Sequence, residues 1–432
     1  MHKLQNLRYL NLSDAGFDGQ IPKEISYLTR LVTLDLSSSI TSHHNLTLEN
    51  SNIGMFVQNL TDITELYLDC VAISASGEEW GRPLSSLEGL RVLSMSSCNL
   101  SGPIDSSLGK LQSLSVLKLS NNKLSSIVPY SIANFSNLTI LRLSSCGSNG
   151  FFPKDIFQIQ TLKVLDISNN QYLHGSLPDF PPLASLKYLN LADTNFSGPL
   201  PNTISNLKHL STIDLSHYQF NGTLPSSMSE LTKLVFLDLS SNNLTGPLPS
   251  FNMSKNLTYL SLFHNHLNGD LSSMHFEGLQ NLVSIDLGFN SMNGNIPLSL
   301  LMLPYLRELK LFYNKLSGLL GEFDNASSHV LEMLDLCNNN LKGHIPVSIF
   351  NLRTLRVINL SSNKFNGAIQ LDIIRRLSNL TILGLSHNNL SMDVNIRDDH
   401  DLSPFPEIKI LKLASSNENP KFLEKSVKFA IS

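Results

Sequence analysis

Charge is scarce in this sequence. Asp, Glu, Lys and Arg together make up 15% of the 432 residues, well below the usual quarter. The 31 basic and 35 acidic residues leave a net charge of −4. Both signs are scattered, so the basic face that nucleic acid demands is missing. Cysteine is scarce too. Cys70, Cys98, Cys146 and Cys337 are the four present, with no CxxC and no Cys/His cluster at zinc spacing. They read either as one or two disulfides or as small apolar residues filling repeated positions. Tryptophan occurs once, as Trp80. Long apolar runs are lacking: the stretch from Leu298 to Leu306 falls far short of the roughly 18–20 residues of a membrane span. The opening Met1-His2-Lys3 leads straight into LQNLRYLNLS without a secretory signal. No GxxxxGK[ST], HExxH or GxSxG is present, so neither an enzymatic activity nor a cofactor is expected. His264 and His266 form an HNH, and Asp398, Asp399, His400 and Asp401 cluster. A metal role is conceivable for either group, but a solvated turn explains each of them better, and no metal site is expected.

What is abundant is leucine at a fixed interval. Copies of LxxLxLSxNxLxGxIP recur with a period of 24, and an LxL pair anchors each copy. The pairs run from Leu10/Leu12 through Leu117/Leu119 and Leu237/Leu239 to Leu411/Leu413, seventeen in all. A repeat of this length signals a stacked architecture in which no copy buries its own apolar face.

One copy shows the physics. In LVFLDLSSN, from Leu234 to Asn242, apolar and polar residues alternate with the strand period of two. Leu237 and Leu239 face inward, and Phe236, Asp238 and Ser240 outward. Asn242 can satisfy backbone groups where the strand ends, and stacked copies would form an amide ladder. Gly246 permits a turn that a Cβ would hinder, and Pro249 fixes an extended conformation beyond it. The period breaks in three places. Residues 37–62 carry extra chain with a helical pattern in ENSNIGMFVQNL. Residues 70–90 hold Trp80. Residues 392–407 hold the acidic loop RDDHD. The repeat domain is expected over 1–416, with a non-repeat tail over 417–432.

The GxIP element on a 24-residue period marks plant-type leucine-rich repeats. The stretches ELYLDCVAISASGEEW, RVLSMSSCNLSGPIDSSL, NLTILRLSSCG, FNGAIQLDIIRRLSNLT and EIKILKLAS resemble the ectodomain of plant receptor-like proteins of the Verticillium-wilt-resistance type, from about residue 1 to about 415. The resemblance implies an α/β repeat solenoid: a right-handed superhelix with a concave parallel β-sheet and a 3-10/PPII convex side. It implies a pattern-recognition receptor of plant defence at the extracellular face of the plasma membrane. Its ligand would be a microbial or endogenous protein or peptide, and membrane receptor kinases would act as co-receptors. The sequence departs from that family's plan. It shows no signal peptide, N-terminal cap or membrane helix, Gly81 stands where relatives tend to carry Cys, and Cys70 where they tend to carry Gly. A fragment or truncated product is the expectation. The alternatives are a secreted inhibitor of cell-wall-degrading enzymes and a non-signalling decoy.

The outward columns vary most in three successive copies. The two residues after LxL are small or polar in most copies, such as Ser120-Asn121 and Ser361-Ser362, but become Phe263-His264, Gly288-Phe289 and Phe312-Tyr313. Tyr259 and Glu308 lie just before the paired leucines, and Asp286 and Lys310 between them. Clustered exposed aromatics suit a binding surface, and they suit cross-strand stacking as well. The candidate contact residues are Tyr259, Phe263, His264, Phe289, Phe312 and Tyr313. A weaker patch comprises His217, Tyr218 and Tyr188. NxS/T sequons make candidate glycosylation sites of Asn45, Asn59, Asn99, Asn134, Asn137, Asn195, Asn221, Asn243, Asn252, Asn256, Asn325, Asn379 and Asn389. Asn11 and Asn359 carry sequons too, but fall in strands facing the concave side, where a glycan would obstruct binding, and are expected to be unoccupied more often than the others.

Overall fold

The computed structural model describes residues 4–39, 46–48, 53–217, 219–322, 330–393 and 405–414. The chain divides into two compact units, Met1–Phe220 and Asn221–Ser432.

In the first unit, three-residue strands run from Tyr9–Asn11 to Thr212–Asp214, all parallel. Their register joins the first member of each LxL pair to that of the next copy: Leu10 to Leu34, Leu66, Leu93, Leu117, Leu141, Leu165, Leu189 and Ile213. The second unit repeats this from Phe236–Asp238 to Ile410–Lys412, joining Leu237 to Leu260, Ile285, Leu309, Leu334, Ile358, Leu383 and Leu411. The alternation in sequence therefore became alternation in space. Leu237 and Leu309 are fully buried, while Phe236 and Asp238 are half-buried on the outer face. Each unit is a solenoid of stacked copies. Ser240 also faces outward, yet only 6% of it is exposed.

The amide ladder forms as expected. Asn265 Nδ2 donates to the carbonyls of Leu239 (3.0 Å) and Leu262 (3.2 Å), and its Oδ1 accepts from the Leu244 N–H at 3.0 Å. Asn290, Asn314, Asn339, Asn363 and Asn388 continue it. In the first unit Cys98 and Cys146 take the asparagine position, with Sγ donating to Leu68 O (2.9 Å) and Leu119 O (3.2 Å). All four thiols are free, and no disulfide forms.

The opposite side carries 3-10 turns, such as Lys23–Tyr27, Tyr130–Asn134 and Val347–Asn351. Each follows a proline, Pro22, Pro129 or Pro346, whose ring fixes φ at the entry. The structure adds a second parallel ladder on the flank of each unit. Asn149–Phe151, Asn170–Gly175 and Thr194–Pro199 pair in the first unit. Asn243–Gly246 pairs with His266–Asp270 in the second, as does Lys364–Gln370 with Asn389–Asp393. Leucine alternates with polar residues in NLTG and HLNG just as in the LxL run, so these segments also extend and pair. Gly246 sits here at φ 79, with no room for a side chain beside Thr223.

The irregular segments hold helices. Within 37–62 the helix is Ile53–Val57, burying Ile53, Phe56 and Val57. Within 70–90 it is Gly77–Leu84, with Trp80 fully buried. The Ser76 N–H and hydroxyl both bond the Glu79 carboxylate at 2.8 Å, closing a capping box. Gly81 packs against Asp105, where any Cβ would lie 2.7 Å from Asp105 Cβ. The RDDHD loop and the tail over 417–432 lie outside the described residues. Among the described residues no helix is long and apolar enough to cross a membrane.

Candidate functional site

Most copies leave their strand through a left-handed residue, the second after the LxL core. In the second unit these include Ser241 (φ 56), His264 (φ 54), Phe289 (φ 51), Tyr313 (φ 51) and Asn338 (φ 54). Small polar residues and histidine tolerate this region, whereas a bulky ring there is strained by roughly 1–2 kcal/mol. Phe289 and Tyr313 are thus costly choices, and they stay 39% and 47% exposed.

The strands Tyr259–Ser261, Ser284–Asp286 and Glu308–Lys310 are neighbours in register, and they bring the aromatic side chains together. Phe289 stacks on Tyr313 with centroids 4.3 Å apart and planes at 12°. It meets Phe263 and Phe312 edge-on at 5.6 and 5.5 Å. Phe263 and Phe312 approach to 5.9 Å, although a whole copy lies between them. Gly288 makes this possible: a Cβ there would fall 2.6 Å from the Phe312 ring. His264 is exposed and leans on Phe263 (5.8 Å) and Phe289 (6.0 Å). Of the six residues expected from sequence, five form this one cluster.

Tyr259 belongs to a different group. It stacks on Phe236, with centroids 4.6 Å apart and planes at 5°. Its hydroxyl donates to Asp238 Oδ2 at 3.4 Å. Burial, then the Asp238 charge, push its phenol up to about 12. Phe236 went unrecognised in the sequence. The available signal was two aromatic residues at the same position of successive copies.

Between the two aromatic groups runs a charged column, Asp238, Ser261, Asp286, Lys310 and Asp335, joined by the strand register. Lys310 Nζ donates to Glu308 Oε2 at 2.8 Å, and that bond holds the Glu308 carboxyl below its ordinary value. Asp286 Oδ1 accepts the Gly288 N–H at 3.0 Å. Burial raises its carboxyl above the ordinary range, against the pull of that N–H and of Lys310.

In the first unit Arg142 Nη1 lies 3.2 Å from Asp166 Oδ2, and its guanidinium sits 5.5 Å from the centroid of the Tyr188 ring. His217 is exposed nearby in sequence at φ 60, while Tyr218 lies outside the described residues. His264 and His266 flank the buried ladder residue Asn265. Among the described residues no three His, Cys, Asp or Glu side chains form a group that could hold a metal ion. Asp398 to Asp401 lie outside them.

The sequon asparagines Asn99, Asn134, Asn137, Asn221, Asn243, Asn256, Asn379 and Asn389 are exposed, and Asn59, Asn195 and Asn252 are half-buried. Asn45 and Asn325 lie outside the described residues. Asn11 and Asn359 donate Nδ2 to Asp35 and Asp335, each at 3.2 Å.

Known proteins share this architecture. The family described as leucine-rich repeat region matches residues 154–428, and leucine rich repeat matches 88–147. Receptor-like protein EIX1 of Solanum lycopersicum is 33% identical over 133 residues; the match covers 30% of this chain and 12% of that protein. Among solved structures, the ectodomain of the Arabidopsis receptor kinase HAESA, in complex with an N-terminally extended IDA peptide hormone, superposes with a TM-score of 0.81. It is 28% identical, covering 94% of this chain and 74% of that one. HAESA with IDA and the co-receptor SERK1 gives a TM-score of 0.76 at 27% identity, covering 98% and 81%. The repeated LxL register and the match over more than half its length show that the chain belongs to the leucine-rich-repeat proteins, and it is similar to plant receptor ectodomains.

Proposed function

We propose that this chain is the ligand-binding ectodomain of a plant receptor-like protein of the Verticillium-wilt-resistance type. It recognises a microbial protein or peptide at the extracellular face of the plasma membrane and signals defence through membrane receptor kinases. The cluster of Phe263, His264, Phe289, Phe312 and Tyr313 carries the binding part of this reading. Rings held at strained backbone positions and left partly exposed are poorly explained by stability alone, and they suit a contact surface. The likeness to a tomato receptor-like protein supports the receptor class, and the likeness to HAESA with its peptide and co-receptor supports the kind of ligand and partner. The exposed sequons fit a glycosylated extracellular surface, and Asn11 and Asn359, whose amides are engaged on the concave face, stay unmodified.

Secreted proteins of a vascular-wilt fungus, fractionated to single components, provide the test against the purified 432-residue chain. One component should bind the wild type. The variant Phe263→Ser/Phe289→Ser/Tyr313→Ser should bind it at least about tenfold more weakly with an unchanged circular dichroism spectrum. Equal binding by the folded variant would remove the patch. Inhibition of a fungal polygalacturonase without such binding would favour the secreted-inhibitor alternative.

A further inference from the structure

Two arrangements on the outer strand faces have the same parts. In the first unit, Asp166 and the Tyr188 ring of the next copy hold the Arg142 guanidinium, at 3.2 Å from the carboxylate and 5.5 Å from the ring centroid. In the second unit, Asp238 occupies the position of Asp166, and Tyr259 of the next copy occupies that of Tyr188. Here the phenol donates to the carboxylate at 3.4 Å. Asp286 extends the acidic column one copy past Ser261, with only Ser284 and Gly288 flanking it along its own strand. The aromatic cluster closes the far side of Gly288.

The charge here is one-sided. Asp238, Asp286, Glu308 and Asp335 contribute four carboxylates to this part of the face, and Lys310 contributes one ammonium. That ammonium is engaged by Glu308 at 2.8 Å. Ring faces carry negative potential and attract cations, and a guanidinium can stack on a ring while bonding a carboxylate.

We propose that this face takes a cationic side chain, an arginine or lysine next to an apolar or aromatic residue of a peptide segment. The cation lies against Asp238, Asp286 and the Tyr259 ring, and its apolar neighbour meets Phe263, Phe289 and Tyr313. The proposal rests on the reading of this face as the ligand contact and adds the chemistry of the ligand. A neutral oligosaccharide would use the rings but leave the carboxylate column without a counter-charge.

The test is selection of random dodecapeptides displayed on phage against the full chain, followed by affinity measurement on synthetic copies. Selected peptides should share Arg or Lys beside an aromatic or aliphatic residue, and replacing that cation by norleucine should weaken binding about tenfold or more. Asp238→Asn/Asp286→Asn should cause a similar loss for the cationic peptide and none for its norleucine analogue. Lys310→Gln should tighten binding of the cationic peptide, which a purely structural role for the column would not produce. Selection of acidic or neutral peptides, an unchanged affinity in the double variant, no enrichment, or binding of chitohexaose in place of peptides would overturn the proposal. Peptides that bind the Phe263→Ser/Phe289→Ser/Tyr313→Ser variant as tightly as wild type would overturn the underlying contact surface. Loss in that variant without any cation preference would overturn the ligand chemistry alone.

Discussion

Phe263 and Phe312 belong to copies that are not neighbours, yet their ring centroids lie 5.9 Å apart across Gly288. Adjacent strands are spaced about 4.8 Å apart, so two rings of one column that stand two strands apart come together more closely when the position between them carries no side chain. Gly288→Val should therefore drive Phe312 off its seat and cost about 1–3 kcal/mol. The double variant Gly288→Val/Phe312→Ala should cost less than the sum of the two single changes, because removing the ring removes the clash. Urea denaturation of the four proteins measures this coupling. Strict additivity would mean that Gly288 does not set the contact.

The amide ladder should be more sensitive than the surface. Asn314 Nδ2 donates to Leu287 O at 2.9 Å, and its Oδ1 accepts from Met292 N at 3.0 Å. Asn290 Nδ2 also donates to Leu287 O, at 3.2 Å, so Asn314→Ala weakens that carbonyl's bonding and leaves the buried Met292 N–H without its partner, at a cost of roughly 1–3 kcal/mol. A denaturation midpoint equal to wild type would show that water replaces the amide.

Burial sets the chemistry of the thiols. It raises the Cys98 thiol well above its ordinary value and pushes Cys146 and Cys337 up to about 12. At pH 8 these three are protonated and poor nucleophiles. An aromatic disulfide reagent should leave them unmodified in the native chain and titrate all four in guanidinium. Fewer than four thiols after denaturation would reveal a disulfide.

The LxL register was legible to the residue, because strand period and copy length leave no freedom of phase. The candidate cluster was legible as a list, since five aromatic or imidazole side chains stand at matching positions. Its geometry was not, because the contact of Phe263 with Phe312 depends on what Gly288 lacks. The flank ladder around Asn243–Gly246 was hidden by its glycine, which reads as a turn but sits in an extended pair. The helix Gly77–Leu84 was announced by Ser76 and Glu79 three residues apart, a signal obscured by Pro83 inside the helix. For Cys98 and Cys146 the repeat register already offered a place as small apolar fillers beside the disulfide reading, and the ladder shows each standing at an asparagine position.

Asp286 should destabilise the fold at neutral pH. Its carboxyl is raised, mainly by burial, so the folded chain holds the proton more tightly than the unfolded chain does. The stability linked to this group is full below the unfolded carboxylate range, near pH 4, and is lost as pH rises through the folded value. Asp286→Asn keeps an oxygen for the Gly288 N–H without a charge. It should raise the melting temperature at pH 7, with the advantage shrinking on acidification. A lower melting temperature for the variant at pH 7 would show that the charge stabilises the fold, and would remove the case that it is kept for binding.

Hydroxyl-radical footprinting measures the contact surface at the level of single rings. Phe289 and Tyr313 are 39% and 47% exposed, while Phe151 and Tyr172 are 73% and 70% exposed on the flank of the first unit. All four should be oxidised in the free chain. With a binding peptide or fungal protein present, Phe289 and Tyr313 should become protected while Phe151 and Tyr172 label as before. Unchanged labelling of Phe289 and Tyr313 in the saturated complex would contradict a ligand seated on the aromatic face.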